Sequence, residues 1–533
     1  METYVNALML TAVTLTYLPA HTHATKILLV PGNLDSHIML FSRLAIDLAK
    51  LGNMATVIAP SNARIPDFVT DDAVDNFTYV KYPVDETTWF PSSAEMTELV
   101  VTMATTTSPL QIMRAFANGN AELTHAGEKD CVRLLDNVEL MRQIRETRYD
   151  FAIMDLFGAI ACYYTIPYSL GMPYATMSLD LSSAYLFRVP RLSSFPNAVS
   201  LSDRPSFLDR LTVFIIDRLD NGVISDNRHY MKKYAPDRPY LDTVELFQRQ
   251  SLWFFVEDLS VHYPLPQMPN TIAVGDIIIG TKVRPLSGEI KEFVSRSKHG
   301  VILVAFGSWF SDVFPPAVIR RLCDAFIEAA KRFGLSFVWK LKGKVSCSNN
   351  NILILPWIPQ IDLLADTRVR LFISHGGYNS IIESVYHAKP LILFPIGVDQ
   401  PANAAAGESK GYAIQMKILD FSAESLVSNI HKLLTDPTYK RNANLASGIL
   451  RDRRDTAAQR VSAMIDHVIK YGDRHLRTGA FELSTFQFMM FDIFAALVAA
   501  AVIVLSVVAL LCCCLYRVCC SRRNYTREKS KSQ

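Results

Sequence analysis

The residues best suited to do chemistry lie in one 44-residue window, running from Trp357-Ile358-Pro359-Gln360 to Asp399-Gln400. Inside it an apolar run, Val369 to Ile373, leads into Ser374-His375-Gly376-Gly377 and then an amphipathic stretch, Tyr378 to Ala388. Two glycines at a helix start let the backbone approach an anion, and the unpaired N–H groups with the helix dipole stabilise a diphosphate there. His375, Asn379 and Ser380 add donors at the same mouth. Asn379 and Glu383 are four apart and share a helix face, so the Glu383 carboxylate sits one turn deeper, placed to accept hydrogen bonds from ribose hydroxyls. Ile381, Ile382 and Val385 take the opposite, buried side. Two other phosphate devices are missing. The first strand is followed by Pro31-Gly32-Asn33-Leu34-Asp35-Ser36-His37 rather than G-x-G-x-x-G. Gly343-Lys344 is followed by Val345, and Val338 stands where a P-loop needs its first glycine. A nucleotide-dependent oxidoreductase and a P-loop ATPase are therefore the weaker readings.

Apolar runs alternating with amphipathic stretches must position these residues, and that alternation is the pattern of a parallel sheet covered by helices. In the first half, Lys26 to Val30 predicts a buried strand, Pro31 to Asp35 a loop, and Ser36 the cap of a helix. That helix carries Ile38, Phe41, Leu44, Ala45 and Leu48 on a 3.6 period until Gly52. Met54 to Ala59, Tyr149 to Asp155 and Tyr174 to Ser178 read as further strands of the same sheet. A second series starts with the strand Val301 to Phe306. Pro315 and Pro316 then open a helix with Val318, Leu322, Phe326 and Phe333 on one face, closed by Gly334. Strands at Ser336 to Leu341, Ile352 to Leu355, Val369 to Ile373 and Pro390 to Phe394 follow, Gly280 to Glu289 has linker chemistry, and 422–472 reads as helices only. The expected fold class is α/β with two Rossmann-like halves. Its expected divisions are 25–280, 281–445 and a returning helical segment at 446–492.

The window resembles the signature box of the UDP-glycosyltransferase family, which moves glucuronosyl and glucosyl groups from nucleotide sugars. It matches without a gap at Trp357, Gln360, His375, Gly376, Asn379, Ser380, Glu383, Pro390, Pro395, Asp399 and Gln400, far more specific than any lone glycine motif. The membrane-proximal stretch Ser484 to Asp492 is similar to that of the animal, membrane-bound glucuronosyltransferase type, so the resemblance runs nearly the whole chain. It implies two facing Rossmann-like domains of the GT-B type, with acceptor on the N-terminal one and UDP-sugar on the C-terminal one. By the same resemblance Trp357 stacks on uracil, Gln360 binds near base and ribose, and Glu383 holds the ribose. His375, Gly376, Gly377, Asn379, Ser380 and Ser308 hold the diphosphate, while Asp399 and Gln400 face the sugar hydroxyls. His37 matches the family's catalytic histidine and Asp155 its partner, and both follow carboxyl ends of parallel strands, where such sheets place ligands. The reaction implied is inverting transfer without a metal or cofactor, UDP-sugar being a co-substrate. The acceptor implied is a hydroxyl of a small lipophilic molecule, with Trp89, Phe90 and Phe116 as apolar candidates to line its site. One departure concerns the donor. Animal members commonly carry an aromatic three residues before the glutamine, whereas this chain reads Pro395-Ile396-Gly397-Val398-Asp399-Gln400. The bland alternatives are a helix cap for His37, a turn cap for Asp155 and a core position for Trp357. The competing function is a catalytically silent, membrane-tethered UDP-sugar or glycolipid binding protein.

Composition agrees with a membrane-anchored body. The 533 residues carry 54 Lys+Arg against 51 Asp+Glu, a formal charge of +3, too long for one core and too balanced for a nucleic-acid surface. Six basic residues, Arg517, Arg522, Arg523, Arg527, Lys529 and Lys531, belong to the tail 516–533. Just before it, Ile493 to Leu515 runs 23 residues without a charge, enough to cross a bilayer. Ala7 to Leu18 is too short to span and reads as a signal peptide within 1–24. This order predicts a single-pass type I protein with a lumenal body, in the endoplasmic reticulum if Lys529 and Lys531 act in retrieval. The sequon Asn76-Phe77-Thr78 falls on the lumenal side, and the Asn524 sequon on the cytosolic side. Cys131, Cys162, Cys323 and Cys347 are too few for a disulfide scaffold. The cluster Cys512, Cys513, Cys514, Cys519 and Cys520 suits palmitate better than metal. Assembly as a homo-oligomer is left open.

Overall fold

A computed structural model describes residues 24–63, 74–84, 127–156, 160–178, 226–264, 267–280, 282–307, 314–342, 349–397 and 399–529, with isolated residues between these runs. The signal-like segment, Trp89, Phe90, Phe116, Ser308 and Gly343-Lys344 lie outside the described residues.

The first half starts with β1 (Lys26–Val30), whose four buried apolar residues leave no solvated face. Helix α1 (Asp35–Lys50) follows and buries Ile38, Phe41, Leu44, Ala45 and Leu48 as the periodicity predicts. Its start differs from the expectation. Leu34 is the N-cap and no side chain caps the helix, so Ser36 sits inside the first turn. The Leu34 N–H instead turns back to the Gly32 carbonyl at 2.8 Å, and the Asp35 carboxylate in the first turn complements the dipole. Strands β2 (Met54–Pro60), β3 (Phe77–Tyr82), β4 (Phe151–Asp155), β5 (Tyr174–Ser178), β6 (Leu252–Phe255) and β7 (Thr271–Ala273) complete a seven-stranded parallel sheet of order β3-β2-β1-β4-β5-β6-β7. In register, Leu28 lies between Thr56 and Ala152. Strands β3, β6 and β7 go beyond the expectation; β7 is three residues long and only partly buried.

The second half repeats the plan with β8 (Val301–Ala305), α2 (Pro316–Phe333), β9 (Ser336–Lys340), β10 (Ile352–Leu355), α3 (Gln360–Ala365), β11 (Val369–Ser374), α4 (Tyr378–Tyr386), β12 (Leu391–Leu393), α5 (Gln400–Ser409) and β13 (Ala413–Gln415). Its six strands are parallel in the order β10-β9-β8-β11-β12-β13. Helix α2 ends on Gly334 at φ +66, where a Cβ would press on the His299 ring. Helix α4 stops at Tyr386, short of the expected Ala388, because Ala388 turns to φ 52 and the Lys389 N–H returns to the Ser384 carbonyl at 2.8 Å. Helices α6 (Ala423–Thr435), α7 (Pro437–Arg451) and α8 (Ala457–Tyr471) follow. Helix α8 returns to the first sheet: Asp466 accepts from the Thr25 hydroxyl at 3.1 Å and Arg460 donates to the Ala273 carbonyl at 2.9 Å.

One hydrophobic cluster takes in residues of both sheets, from Ile27 and Phe254 to Val301, Phe372 and Tyr378, so the two halves share a core. The four body cysteines form two disulfides, Cys131–Cys162 and Cys323–Cys347, which cysteine count alone did not disclose. Residues 477–533 form a separate unit. Its helix α9 (Phe491–Lys529) has a 29-residue run of high mean hydropathy, Phe491–Cys519, charged only at Asp492 and Arg517 and with none of its most apolar stretch buried in the protein. At 1.5 Å per residue that run is about 44 Å long, enough to cross a bilayer.

Candidate active site

In each sheet the strand order reverses once, between β1 and β4 and between β8 and β11. Open α/β sheets bind ligands at the carboxyl ends of the strands flanking such a reversal, and the predicted residues gather at both places.

At the first reversal, the turn leaving β1 brings His37 into the opening turn of α1, while Asp155 is the last residue of β4. His37 Nδ1 lies 2.7 Å from Asp155 Oδ2, and the same oxygen accepts the Gly32 N–H at 2.8 Å. Both residues are buried. A carboxylate bonded to Nδ1 fixes the proton there and leaves Nε2 as the basic nitrogen. A residue missed in the sequence completes the loop: Asp130, fully buried, accepts from Asn33 Nδ2 at 2.8 Å. Asp155 thus holds the backbone at Gly32 and Asp130 the side chain of Asn33, in the turn that presents His37. Asn33 and Asp130 are 97 residues apart, and no local pattern links them.

At the second reversal, β8 runs into Gly307 and β11 into His375. A Cβ on Gly307 would lie 2.8 Å from His375 Nε2, and one on Gly377 would lie 2.6 Å from it. Those glycines therefore admit the imidazole between the two strand ends, a task beyond the anion approach expected of Gly377. Gly376 is at φ +90, with the Gln400 carbonyl 3.3 Å from where its Cβ would be. Burial, reinforced by Lys340, pushes His375 down to about 4, so at neutral pH it is an uncharged hydrogen-bonding ring. Asn379 is half-buried in the first turn of α4.

One turn deeper, Gln360 Nε2 donates to Glu383 Oε2 at 2.7 Å and approaches Ser380 Oγ at 3.4 Å. The structure therefore joins Ser380 to Gln360 and Glu383. Burial raises the Glu383 carboxyl to about 7, against the lowering effects of the Gln360 bond and Lys340. Trp357 is not a core residue: it is 48% exposed, with Lys340 Nζ 4.0 Å from its ring centroid. Gln400 is buried, and its Oε1 accepts the Ile396 and Gly397 N–H groups at 2.9 and 3.3 Å. Its side-chain carbonyl thus shapes the loop. Asp399 Oδ2 accepts from Asn403 Nδ2 at 2.6 Å. Asn403 was missed, although its position four residues after Asp399 was a usable helical signal.

Residues 25–526 match the family described as UDP-glucoronosyl and UDP-glucosyl transferase. The chain belongs to this family. It is 28% identical over 488 residues to UDP-glucuronosyltransferase 2A3 of Cavia porcellus, covering 89% of this chain and 90% of that one. It is 27% identical over 498 residues to 2-hydroxyacylsphingosine 1-beta-galactosyltransferase of Mus musculus, covering 88% and 85%. Among solved structures, the kitacinnamycin glycotransferase aligns with a TM-score of 0.55 at 16% identity, covering 84% of this chain and 100% of that one. LpCGTa in complex with UDP gives 0.53 at 15%, covering 84% and 99%. These likenesses identify the fold of this UDP-glycosyltransferase family member as GT-B.

Proposed function

We propose that the protein is an inverting transferase that moves a sugar, glucuronate with modest preference over glucose, from UDP to a hydroxyl of a small lipophilic acceptor. The observation that carries this reading is the buried His37–Asp155 pair, 2.7 Å apart at the end of a parallel strand. His37 Nε2 takes the acceptor proton, and the alkoxide-like oxygen attacks the anomeric carbon in line. The bond from that carbon to the diphosphate oxygen breaks with both electrons leaving on UDP. Asp155 stabilises the imidazolium that forms. The departing diphosphate faces the Gly376-Gly377 start of α4, where N–H donors and the helix dipole stabilise it. His375, Asn379, Ser380 and, by resemblance, Ser308 add donors. Trp357, Gln360 and Glu383 hold uridine, and Asp399 and Gln400 read the sugar.

The domain division at about 280, the signal peptide and the type I orientation belong to the same proposal. Two disulfides suit an oxidising lumen, and Asn76 is exposed in the turn before β3, accessible to glycosylation. Donor choice is left to experiment by the relatives themselves, since a glucuronosyltransferase and a galactosyltransferase are matched almost equally. The test is UDP release from UDP-glucuronate, UDP-glucose and UDP-galactose against a panel of phenols and sterols. His37→Ala should lower turnover by about 10²- to 10⁴-fold while UDP still binds. Near wild-type turnover in that variant would remove the base assignment.

A further inference from the structure

The segment that leaves β6 crosses to the other sheet. Tyr263 donates its hydroxyl to the Ala405 carbonyl at 3.2 Å, Lys410 Nζ donates to the Leu259 carbonyl at 3.0 Å, and His262 Nε2 lies 2.7 Å from Asn403 Oδ1. Asn403 is 1% exposed and its side chain is committed at both ends. Its Nδ2 donates to the Gly376 carbonyl at 3.1 Å and to Asp399 Oδ2 at 2.6 Å. With the amide nitrogen donating twice, Oδ1 must accept, which assigns the His262 proton to Nε2. The imidazole is held in place by a parallel stack on Tyr378, the first residue of α4, with centroids 5.1 Å apart and planes 8° apart. Gly275 makes room for this stack, since a Cβ there would collide with the Tyr378 hydroxyl and the Glu257 backbone.

We propose that His262, a residue of the acceptor-side half, is a positioning residue for the donor site: through Asn403 it fixes both the Gly376 carbonyl and the Asp399 carboxylate. The inference rests on the UDP-sugar reading of that site. Its physical content is orientation. Without the His262 donor, Asn403 Oδ1 becomes a buried acceptor lacking its N–H, and rotating the amide to recover water or another donor releases Gly376 and Asp399 together. The loop that meets the diphosphate and the carboxylate that meets the sugar then lose their common anchor. The same contact ties donor-site geometry to the placement of the acceptor-side half.

Three variants of the full chain in detergent micelles test this: His262→Phe, which keeps a ring against Tyr378 and removes the donor, His262→Gln, which returns an N–H, and Asn403→Ala. The readouts are dissociation constants for UDP and UDP-glucose, KM for donor and acceptor, and Tm. His262→Phe should raise the UDP-glucose dissociation constant and donor KM about tenfold, leaving acceptor KM within about twofold. His262→Gln should recover to within about threefold of wild type, and His262→Phe should add nothing in the Asn403→Ala background. The proposal is overturned if His262→Phe binds UDP-glucose like wild type, or if the Phe and Gln variants lose affinity and Tm together, which is the behaviour of a space-filling residue. Wild type that binds UDP-glucose without transferring it would remove the enzymatic reading and leave the dissociation constants to decide this one. Wild type that binds neither UDP nor UDP-glucose would remove the donor site and this proposal with it.

Discussion

Replacing Glu383 with glutamine should make the empty protein more stable and the donor site weaker. The carboxyl is buried behind Gln360 and raised from about 4.5 to about 7. An acid raised by folding binds its proton more tightly in the folded state, so its penalty is absent below the unfolded value and complete above the folded one. Stability is therefore lost as pH climbs from about 4.5 through about 7. A shift of that size corresponds to an upper bound of roughly 3 kcal/mol. Glu383→Gln keeps an acceptor for Gln360 and escapes the penalty, so its Tm should exceed wild type at about pH 8 and match it at about pH 4. Donor binding should move the other way. In the proposed role ribose hydroxyls bond to the ionised form, and losing a charge-assisted acceptor costs about 1.5–3 kcal/mol, roughly ten- to a hundredfold in affinity. In wild type, UDP-glucose affinity should weaken as pH falls below about 7, by up to about tenfold per unit, and Glu383→Gln should flatten that profile. UDP-glucose is the ligand to use, because its diphosphate carries no group that titrates in this range. Scanning fluorimetry and calorimetry on the full chain check both arms. A Glu383→Gln variant that melts below wild type at about pH 8, or binds UDP-glucose equally well, refutes the reasoning.

Three further outcomes are expected. Ala388 sits at φ 52 just past α4, so Ala388→Gly should stabilise by up to about 1 kcal/mol, the relief of a left-handed alanine less the entropy of a freer unfolded chain; an unchanged or lower Tm would count against it. The reverse change at Gly334, at φ +66 with the His299 ring 2.6 Å from a built Cβ, should destabilise by about 1–3 kcal/mol on the same scale. Protease added to sealed microsomes should remove only the tail beyond α9, and Asn76→Gln should abolish a glycan shift on the protected body; digestion of the body, or a glycan unaffected by Asn76→Gln, would overturn the topology.

The second half was more legible in the sequence than the first, for a physical reason. A ligand site at a strand-order reversal draws on the loops that follow adjacent strands, and in the second half those after β10, β11 and β12 fall together within 356–400. The helix period then predicts which side chains share a face, as with Ser380 and Glu383 meeting Gln360. The first half has its partners 118 residues apart, His37 on one strand exit and Asp155 on another. Resemblance could suggest that pair, and only the parallel register of β1 and β4 brings it together. Strands β7 and β13 escaped because each is three residues long and only partly buried, so neither shows the continuous apolar run that marks the equally short β12.

Asp130, Asn403 and His262 share a property that explains why all three were missed. None lies in the matched window's motif positions, and each acts on a neighbour of the motif residues or on the residues themselves. Asp130 holds the Asn33 loop ahead of His37, Asn403 holds Gly376 and Asp399, and His262 holds Asn403. A motif records the groups that meet the substrate, because chemistry restricts their types. The groups that aim them are restricted only by position, and any buried donor or acceptor of the right reach will serve. They become visible once each buried polar atom is asked where its hydrogen bond goes. At both strand-order reversals that question leads one step beyond the motif, in one case to a second carboxylate and in the other across to the opposite sheet.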